Sequence, residues 1–284
     1  MDAYFQKEVD RIIDQALEED LGDGDHTSLS TIPADARGKA RLIAKESGIL
    51  AGVHVAERVF KKVDSNIKFL ILRQDGEEIQ EGDAIFEVEG PSVSLLSAER
   101  LALNFLQRMS GIATATRNLA DLIEGSTCKI LDTRKTTPNL RILEKYSVKT
   151  GGGENHRFGL YDMILIKDNH VDFTGGIKEA IEACHKYLKE KEKDLKIEIE
   201  VRDFEELEEV LRVGRVDRVM LDNFSPEDLE KAVKTIGGKF ETEASGGINQ
   251  DTIREYAKTG VDYISVGSLT HHIRSLDLSM KAVV

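Results

Sequence analysis

Six short apolar runs in the second half of the chain carry or end in side chains that can do chemistry. Leu131 leads into Asp132-Thr133-Arg134-Lys135-Thr136, and Ile164-Leu165-Ile166 leads into Lys167-Asp168-Asn169-His170. The run from Ile197 to Val201 carries Glu198 and Glu200, and Met220-Leu221 leads into Asp222-Asn223. Phe240 to Ala244 leads into Ser245-Gly246-Gly247, and Ile264-Ser265-Val266 into Gly267-Ser268. One polar residue after a strand is usually a cap. Polar groups on six successive strands point instead to an active site, because parallel barrels assemble their sites at the carboxyl ends of the strands.

The residue types define the ligand. Arg134, Lys135, His156, Arg157 and Lys167 fall on or beside these ends, and Thr150 to Arg157 is a glycine-rich loop ahead of a strand. Such a cluster in an acidic chain implies an anion of more than one charge, with arginine suited to carboxylates because its fork binds two oxygens. The bland alternative is a set of solvated surface charges. The glycines of Ser245-Gly246-Gly247 and Val266-Gly267-Ser268 let backbone N–H groups approach an oxyanion, and the last strands of barrels often hold a phosphate there. Each loop alone reads simply as a turn. Glu200 and Asp222, near the ends of adjacent strands, suit Mg²⁺ or sugar hydroxyls. Glu198 shares the strand face of Glu200, and for it ion pairing with nearby lysines is a credible alternative. Lys167 ends an apolar run, a setting that also suits a Schiff-base lysine of an aldolase, but the excess of arginines and carboxylates exceeds what a neutral carbonyl needs.

The elements that must position these residues alternate. Strand-like runs at Cys128–Asp132, Met163–Ile166, Ile197–Val201, Arg218–Leu221, Phe240–Ala244 and Tyr263–Val266 are separated by amphipathic runs at Lys178–Lys189, Phe204–Val213, Pro226–Ile236 and Gln250–Thr259. That rhythm marks βαβ units around a parallel sheet. Six units fall short of eight, so an incomplete barrel fits, with a doubly wound sheet as its rival. Upstream, Met1 to Asp20 has an amphipathic helical pattern through Phe5, Val9, Ile12, Ile13, Ala16 and Leu17. Strand-like runs follow at Ala40–Lys45, Ile67–Leu72 and Ala84–Val88, then a long helix over Ser97–Asn118. Arg100 and Asn104 lie on that helix as a polar edge. Gly76 to Gly90 resembles part of a lipoyl-type β module, but without a lysine at a hairpin tip it reads as a structural β segment.

Composition bounds the function. The chain has 284 residues, 40% hydrophobic and 32% charged, as expected for a soluble globular protein of one large domain or a barrel with a smaller partner. The net charge of −13 argues against general nucleic-acid binding, which relies on neutralising phosphates. No apolar run approaches the ~20 residues that span a bilayer. The N-terminus lacks the basic start and apolar middle of a secretory signal. Cys128 and Cys184 are the only cysteines and lack metal-type spacing, so a reducing cytoplasm is expected. Cys184 reads as core packing beside Ile181 and Leu188.

The ordered motifs from Asp132-Thr133-Arg134-Lys135-Thr136 to Ser265-Val266-Gly267-Ser268-Leu269-Thr270-His271 resemble one family over essentially the full length. Gly151 to Arg157, Leu165 to His170, Met220 to Asn223 and Ala244 to Ile248 belong to the series. Glu19-Asp20, Gly24-Asp25, Thr27-Ser28, Glu99-Arg100 and Leu103-Asn104 agree upstream, while His26 and His272 depart from the pattern. The family is the quinolinate phosphoribosyltransferases. The resemblance implies an α/β fold: an N-terminal α/β sandwich over residues 1–111 and an incomplete, TIM-like parallel α/β barrel over 112–273. A C-terminal tail, 274–284, would pack back on the sandwich. It implies a glycosyltransferase of NAD biosynthesis that joins quinolinate to phosphoribosyl pyrophosphate with loss of CO₂. It implies a homodimer, with higher assembly left open, in which Arg100 of one protomer enters its partner's site. Arg100, Thr133, Arg134, Lys135, His156, Arg157 and Lys167 would hold quinolinate. Glu200, Asp222, Ser245, Gly246, Gly247, Val266, Gly267, Ser268 and His271 would hold the phosphoribosyl donor, with Mg²⁺ carried by that donor and Glu200 and Asp222 as candidate direct ligands. Lys135, Lys167, Glu200 and Asp222 would be the catalytic groups. A relative acting on nicotinate is the rival, and three arginines suit two carboxylates better than one.

Overall fold

The computed structural model describes residues 3–283. The chain runs through helices α1 (Ala3–Leu21) and α2 (His26–Thr31), strands β1 (Arg37–Ala44) and β2 (Gly48–Ile49), helix α3 (Val53–Val63), strands β3 (Lys68–Ile71), β4 (Glu78–Ile79) and β5 (Ala84–Pro91), and the long helix α4 (Ser92–Leu122). Strand β6 (Lys129–Leu131), helix α5 (Arg141–Thr150), strand β7 (Ile164–Ile166) and helices α6 (Asp168–Thr174) and α7 (Ile177–Glu190) follow. The alternation continues with β8 (Ile197–Val201), α8 (Phe204–Val213), β9 (Arg218–Asp222), α9 (Pro226–Ile236), β10 (Glu241–Ser245), α10 (Ile253–Ala257), β11 (Tyr263–Ser265), α11 (Ser268–His271) and β12 (Leu278–Ala282). Two compact units result. The first gathers Met1–Arg117, Thr136–Gly152 and Leu269–Val284; the second gathers Asn118–Lys135 and Gly153–Ser268.

The first unit is built on an antiparallel sheet of order β12-β1-β5-β3. Helix α3 buries Val55, Ala56, Val59 and Phe60 along one stripe and ends in Lys61 and Lys62, which suit the negative end of its dipole. Phe60 meets Phe69 at 5.8 Å and Phe86 at 6.0 Å between ring centroids, and Phe69 meets Phe86 at 4.4 Å. Burying a ring such as Phe60 contributes about 1.5–3 kcal/mol. Glu144, buried on α5, accepts from Arg108 Nε (2.9 Å) and from the Thr137 N–H (3.1 Å). This unit departs most from the sequence expectations. Helix α4 begins at Ser92 and continues to Leu122, wider than expected at both ends. Helices α3 and α5 and strand β12 were not anticipated; β12 is a five-residue strand held by its pairing with β1 rather than by its own weak pattern. Met1 and Asp2 of the expected first helix lie outside the described residues.

The second unit holds six parallel strands in the order β6-β11-β10-β9-β8-β7. Its helices carry clear local signals. Asp203 caps α8 by accepting from the Glu206 N–H at 2.9 Å, and Glu205 and Glu206 favour its N-terminus. Ser225 caps α9, Pro226 opens it and Gly237, at φ 59°, closes it in the left-handed conformation. Both helices keep their expected bounds. Helix α10 is shorter than expected, because the Asn249 Oδ1 takes the Asp251 N–H (2.9 Å) and the Thr252 Oγ1 takes the Asn249 N–H (3.1 Å). Those side chains hold the segment in a turn instead of a first helical coil. Among the described residues, no helix is long and apolar enough to cross a membrane.

Candidate active site

Strand alternation and register converge the polar groups. In a strand, residues two apart share a face, so Leu165 and Lys167, Glu198 and Glu200, Met220 and Asp222, and Glu243 and Ser245 form matched pairs. The parallel register sets Asp222 beside Ser245 and Met220 beside Glu243. A cavity of about 340 Å³ opens at these strand ends, lined by Thr133, Arg134, Lys135, His156, Arg157, Lys167 and Ser245. The expected cationic cluster is thus brought together in one unit. Leu165, Met220, Glu243 and Ser265 complete the lining and were not singled out from sequence. Period-two alternation inward from Lys167, Asp222 and Ser245 is the signal that would have found the first three.

The Gly151–Arg157 loop reaches the cavity by pairing with β6. Glu154 N–H donates to Ile130 O (2.7 Å), and Asp132 N–H donates to Glu154 O (3.1 Å). Asp132, fully buried, then accepts the His156 N–H on Oδ1 at 2.9 Å. It is a positioning residue missed from sequence, visible only as an acid ending an apolar strand. The Arg157 N–H donates to His156 Nδ1 at 2.8 Å, which leaves the ring proton on Nε2. Nε2 lies 3.0 Å from Glu198 Oε2 and 3.6 Å from Glu243 Oε2. The Arg157 guanidinium donates to Met163 O at 3.1 Å. Burial, and then the Arg134 charge, hold Arg157 below the ordinary arginine range. The two guanidiniums are thus close enough to repel each other, which leaves the cavity strongly cationic.

Beneath this rim lies a dry layer. Glu198 and Glu243 are fully buried, and Arg218 donates to Glu243 Oε2 at 3.1 Å. Desolvation by burial raises both carboxyls above the ordinary carboxylate range, Glu243 to about 8. The nitrogen of His156 and the carboxylate oxygens of Glu198 and Glu243 lie within 4.8 Å of one another. A metal does not fit well there, since Arg218 already occupies Glu243 and His156 sits at hydrogen-bond distance from Glu198. The expected lysine partner of Glu198 is replaced by His156, because the strand turns Glu198 inward where no lysine ammonium pairs with it among the described residues.

The rim itself is wetter. Lys167 Nζ pairs with Glu200 Oε2 at 2.6 Å, with the lysine side chain 46% exposed and that of Glu200 8%. This is not the dry, unpaired setting that a Schiff-base lysine requires. Asp222, half-buried, accepts from the Asn223 amide at 2.6 Å. Glu200 and Asp222 share the cavity's strand face without lining the cavity. Gly246 and Gly247 follow Ser245; Val266 is buried beyond β11, and Gly267 precedes α11, which Ser268 opens. Arg100 and His271, both exposed, belong to the first unit. Cys184 is half-buried rather than core and helps line an apolar groove with Met163 and Tyr187.

A cationic cavity at the carboxyl ends of parallel strands, flanked by two carboxylates and a glycine turn, defines an α/β protein whose candidate site lies where parallel sheets place their active sites. Residues 112–281 match the C-terminal domain of quinolinate phosphoribosyl transferase and residues 25–110 match its N-terminal domain. The chain belongs to the quinolinate phosphoribosyl transferase family. It is 44% identical over 285 residues to quinolinate phosphoribosyltransferase (decarboxylating) 1b of Nicotiana tabacum, covering 95% of this chain and 81% of that protein. It is 42% identical to a probable nicotinate-nucleotide pyrophosphorylase (carboxylating) of Bacillus subtilis, covering 96% of this chain and 93% of that protein. The crystal structure of NadC from Streptococcus pyogenes superposes with a TM-score of 0.92 at 41% identity, covering 96% of this chain and 95% of that one.

Proposed function

We propose that this chain transfers a phosphoribosyl group from phosphoribosyl pyrophosphate to quinolinate and removes one carboxylate, yielding nicotinate mononucleotide, pyrophosphate and CO₂ for de novo NAD synthesis. The observation that carries the reading is the single cavity into which Arg134, Lys135, Arg157 and Lys167 converge. A ring with two carboxylates matches that cationic density.

In this reading Arg134 and Arg157 clamp the carboxylates, with Thr133, Lys135, His156 and Lys167 around the ring. The clamp aims the ring nitrogen at C1 of the ribose; positioning suffices, since that nitrogen has no proton to lose. Glu200 and Asp222 face the sugar and favour the positive charge that develops on it as the C1–pyrophosphate bond breaks. The Ser245–Gly247 turn and Gly267–Ser268 supply N–H groups to phosphate oxygens, Val266 contributing none because its N–H donates to Leu131 O at 2.9 Å, and His271 is a further expected donor contact. Lys135 and Lys167 favour the departing negative charge. The ribosylated ring is cationic, so it accepts the electron pair released when the C2–carboxylate bond breaks, and C2 then takes up a proton. Glu200 and Asp222 present hard oxygen donors on adjacent strands, a set that fits Mg²⁺ bound mainly through the donor's phosphates. When bound, the ion neutralises pyrophosphate charge.

The finer architecture belongs to the same proposal. The strand order runs monotonically from β7 to β11, and β11 then pairs with the first strand, β6. Residues from both edge strands' ends line one cavity. Both features support an incomplete barrel over 112–273 and tell against a doubly wound sheet, whose strand order reverses. The β1–β12 pairing supports a tail, 274–284, that returns to an α/β sandwich at 1–111. Leu160, Tyr161 and Phe173 are large apolar side chains at 71%, 65% and 89% exposure, which supports a homodimer that covers them. Arg100 then serves the partner's site. Unpaired Cys128 and Cys184 support a cytoplasmic location.

The test is direct. Purified protein given quinolinate, phosphoribosyl pyrophosphate and Mg²⁺ releases pyrophosphate and CO₂, and nicotinate in place of quinolinate supports far less release. Absence of both products, or a preference for nicotinate, would refute the assignment.

A further inference from the structure

Asn223 touches both groups assigned to the phosphoribosyl donor. It follows β9 directly and adopts φ 58°, in the left-handed region that asparagine tolerates better than most residues. Its backbone N–H donates to Ser245 O at 2.8 Å, extending the β9–β10 ladder one step past the Asp222–Ser245 pair. Its side-chain Nδ2 donates to Asp222 Oδ2 at 2.6 Å. Its Oδ1 stands against Gly246, where a Cβ would lie 2.2 Å from that oxygen and 2.9 Å from the Asn223 nitrogen. Gly246 also sits at φ +103°, so neither its space nor its backbone accepts a side chain easily. One side chain therefore holds the Asp222 carboxylate and occupies the face of the glycine turn.

We propose that Asn223 is a positioning residue that locks Asp222 and the Ser245–Gly247 turn into one arrangement, so that carboxylate and turn engage the phosphorylated sugar together. The inference rests on the assignment of those groups to the phosphoribosyl donor. A residue that merely capped β9 would be replaceable by any residue at home in the left-handed region. Glycine is such a residue, so Asn223→Gly keeps the backbone and removes only the amide. Loss of a hydrogen bond to a charged group is expected to weaken donor binding by about tenfold or more.

Calorimetric binding of phosphoribosyl pyrophosphate with Mg²⁺, and separately of quinolinate, tests this on the full chain. In Asn223→Gly the donor Kd and KM rise about tenfold, quinolinate binding stays within about twofold, and the melting temperature changes little. Asn223→Asp, which keeps shape and backbone preference but sets a second carboxylate against Asp222, weakens donor binding further. Gly246→Ala alone also weakens it, and adding Asn223→Gly to Gly246→Ala costs less than the sum of the two single changes, because the side-chain part of the clash is relieved. Unchanged donor binding in both Asn223 variants, equal loss for both ligands, or strict additivity with Gly246→Ala would overturn the inference while the function stands. Wild-type protein that binds neither ligand would instead remove the functional reading, and the inference with it.

Discussion

The parallel sheet carries two layers of charge on one face, and they are built oppositely. In the lower layer Glu198 and Glu243 are fully buried, with Arg218 and His156 against them. In the upper layer, one pleat nearer the strand ends, Lys167 is 46% exposed beside Glu200, and Arg134, Arg157 and Asp222 are half-buried. Glu198 and Glu200 are the same residue type on the same strand face, yet their partners differ in kind. A buried carboxylate is tolerable only when it is paired or holds a proton, so the lower layer is committed to its own neighbours. The upper layer can release a partner to a ligand because water or the ligand substitutes for it. Glu200 is itself only 8% exposed, so what separates it from Glu198 is its partner, an ammonium that reaches water, rather than residue type.

The largest test of that division is Arg218→Met. It removes the guanidinium that donates to Glu243 Oε2 at 3.1 Å, and losing a hydrogen bond from a charged donor to a buried acceptor costs about 1.5–3 kcal/mol. Urea unfolding should show a loss of that size, and a loss under about 1 kcal/mol would mean that the layer is not electrostatically committed. Next in size is the effect of pH. Glu243 is raised from an ordinary 4.5 to about 8, with burial the main cause. Between those values the native chain holds a proton that the unfolded chain has lost. Native protein thus binds more protons, and stability falls as pH rises across that window, by at most about 1.4 kcal/mol per pH unit for one proton. Glu243→Gln should flatten the slope, and a wild-type slope identical to that of the variant would contradict the shared burial.

These layers also mark how far the sequence was legible. The sequence placed Arg134, Lys135, Lys167 and Ser245 because each follows an apolar run whose period and length are local signals, and His156 and Arg157 because they end a glycine-rich loop ahead of a strand. Helices α8 and α9 were equally readable, since Asp203, Ser225, Pro226 and Gly237 announce their ends. The lower layer was not. Glu243 sits within the apolar-flanked run Glu-Thr-Glu-Ala and Arg218 opens a strand, so nothing local says that the two meet; the β9–β10 register and the inward pleat decide it. Strand β12 was illegible for the same reason, its stability coming from pairing with β1, far away in the chain. Helix α5 is rich in charge because Glu144 and Lys145 are buried against tertiary partners rather than solvated, which disguises its apolar stripe.

The smallest expected change in stability is the most telling for function. Lys167→Gln removes the exposed half of the Lys167–Glu200 pair while keeping a polar side chain of similar reach. With the ammonium screened by water but Glu200 only 8% exposed, losing the pair should cost about 1 kcal/mol, so the urea midpoint should shift only modestly. If the rim exists to meet departing negative charge, however, turnover with quinolinate should fall by about a hundredfold, the scale typical of losing one group that stabilises a transition state. The two outcomes together separate the layers, since Arg218→Met should unfold the protein more readily whereas Lys167→Gln should leave a stable and nearly inactive one. A large stability loss in Lys167→Gln would place Lys167 with the supporting groups. Near-normal turnover in a stable variant would mean that the rim binds its anion without Lys167, and the catalytic load would pass to Lys135, which lines the same cavity.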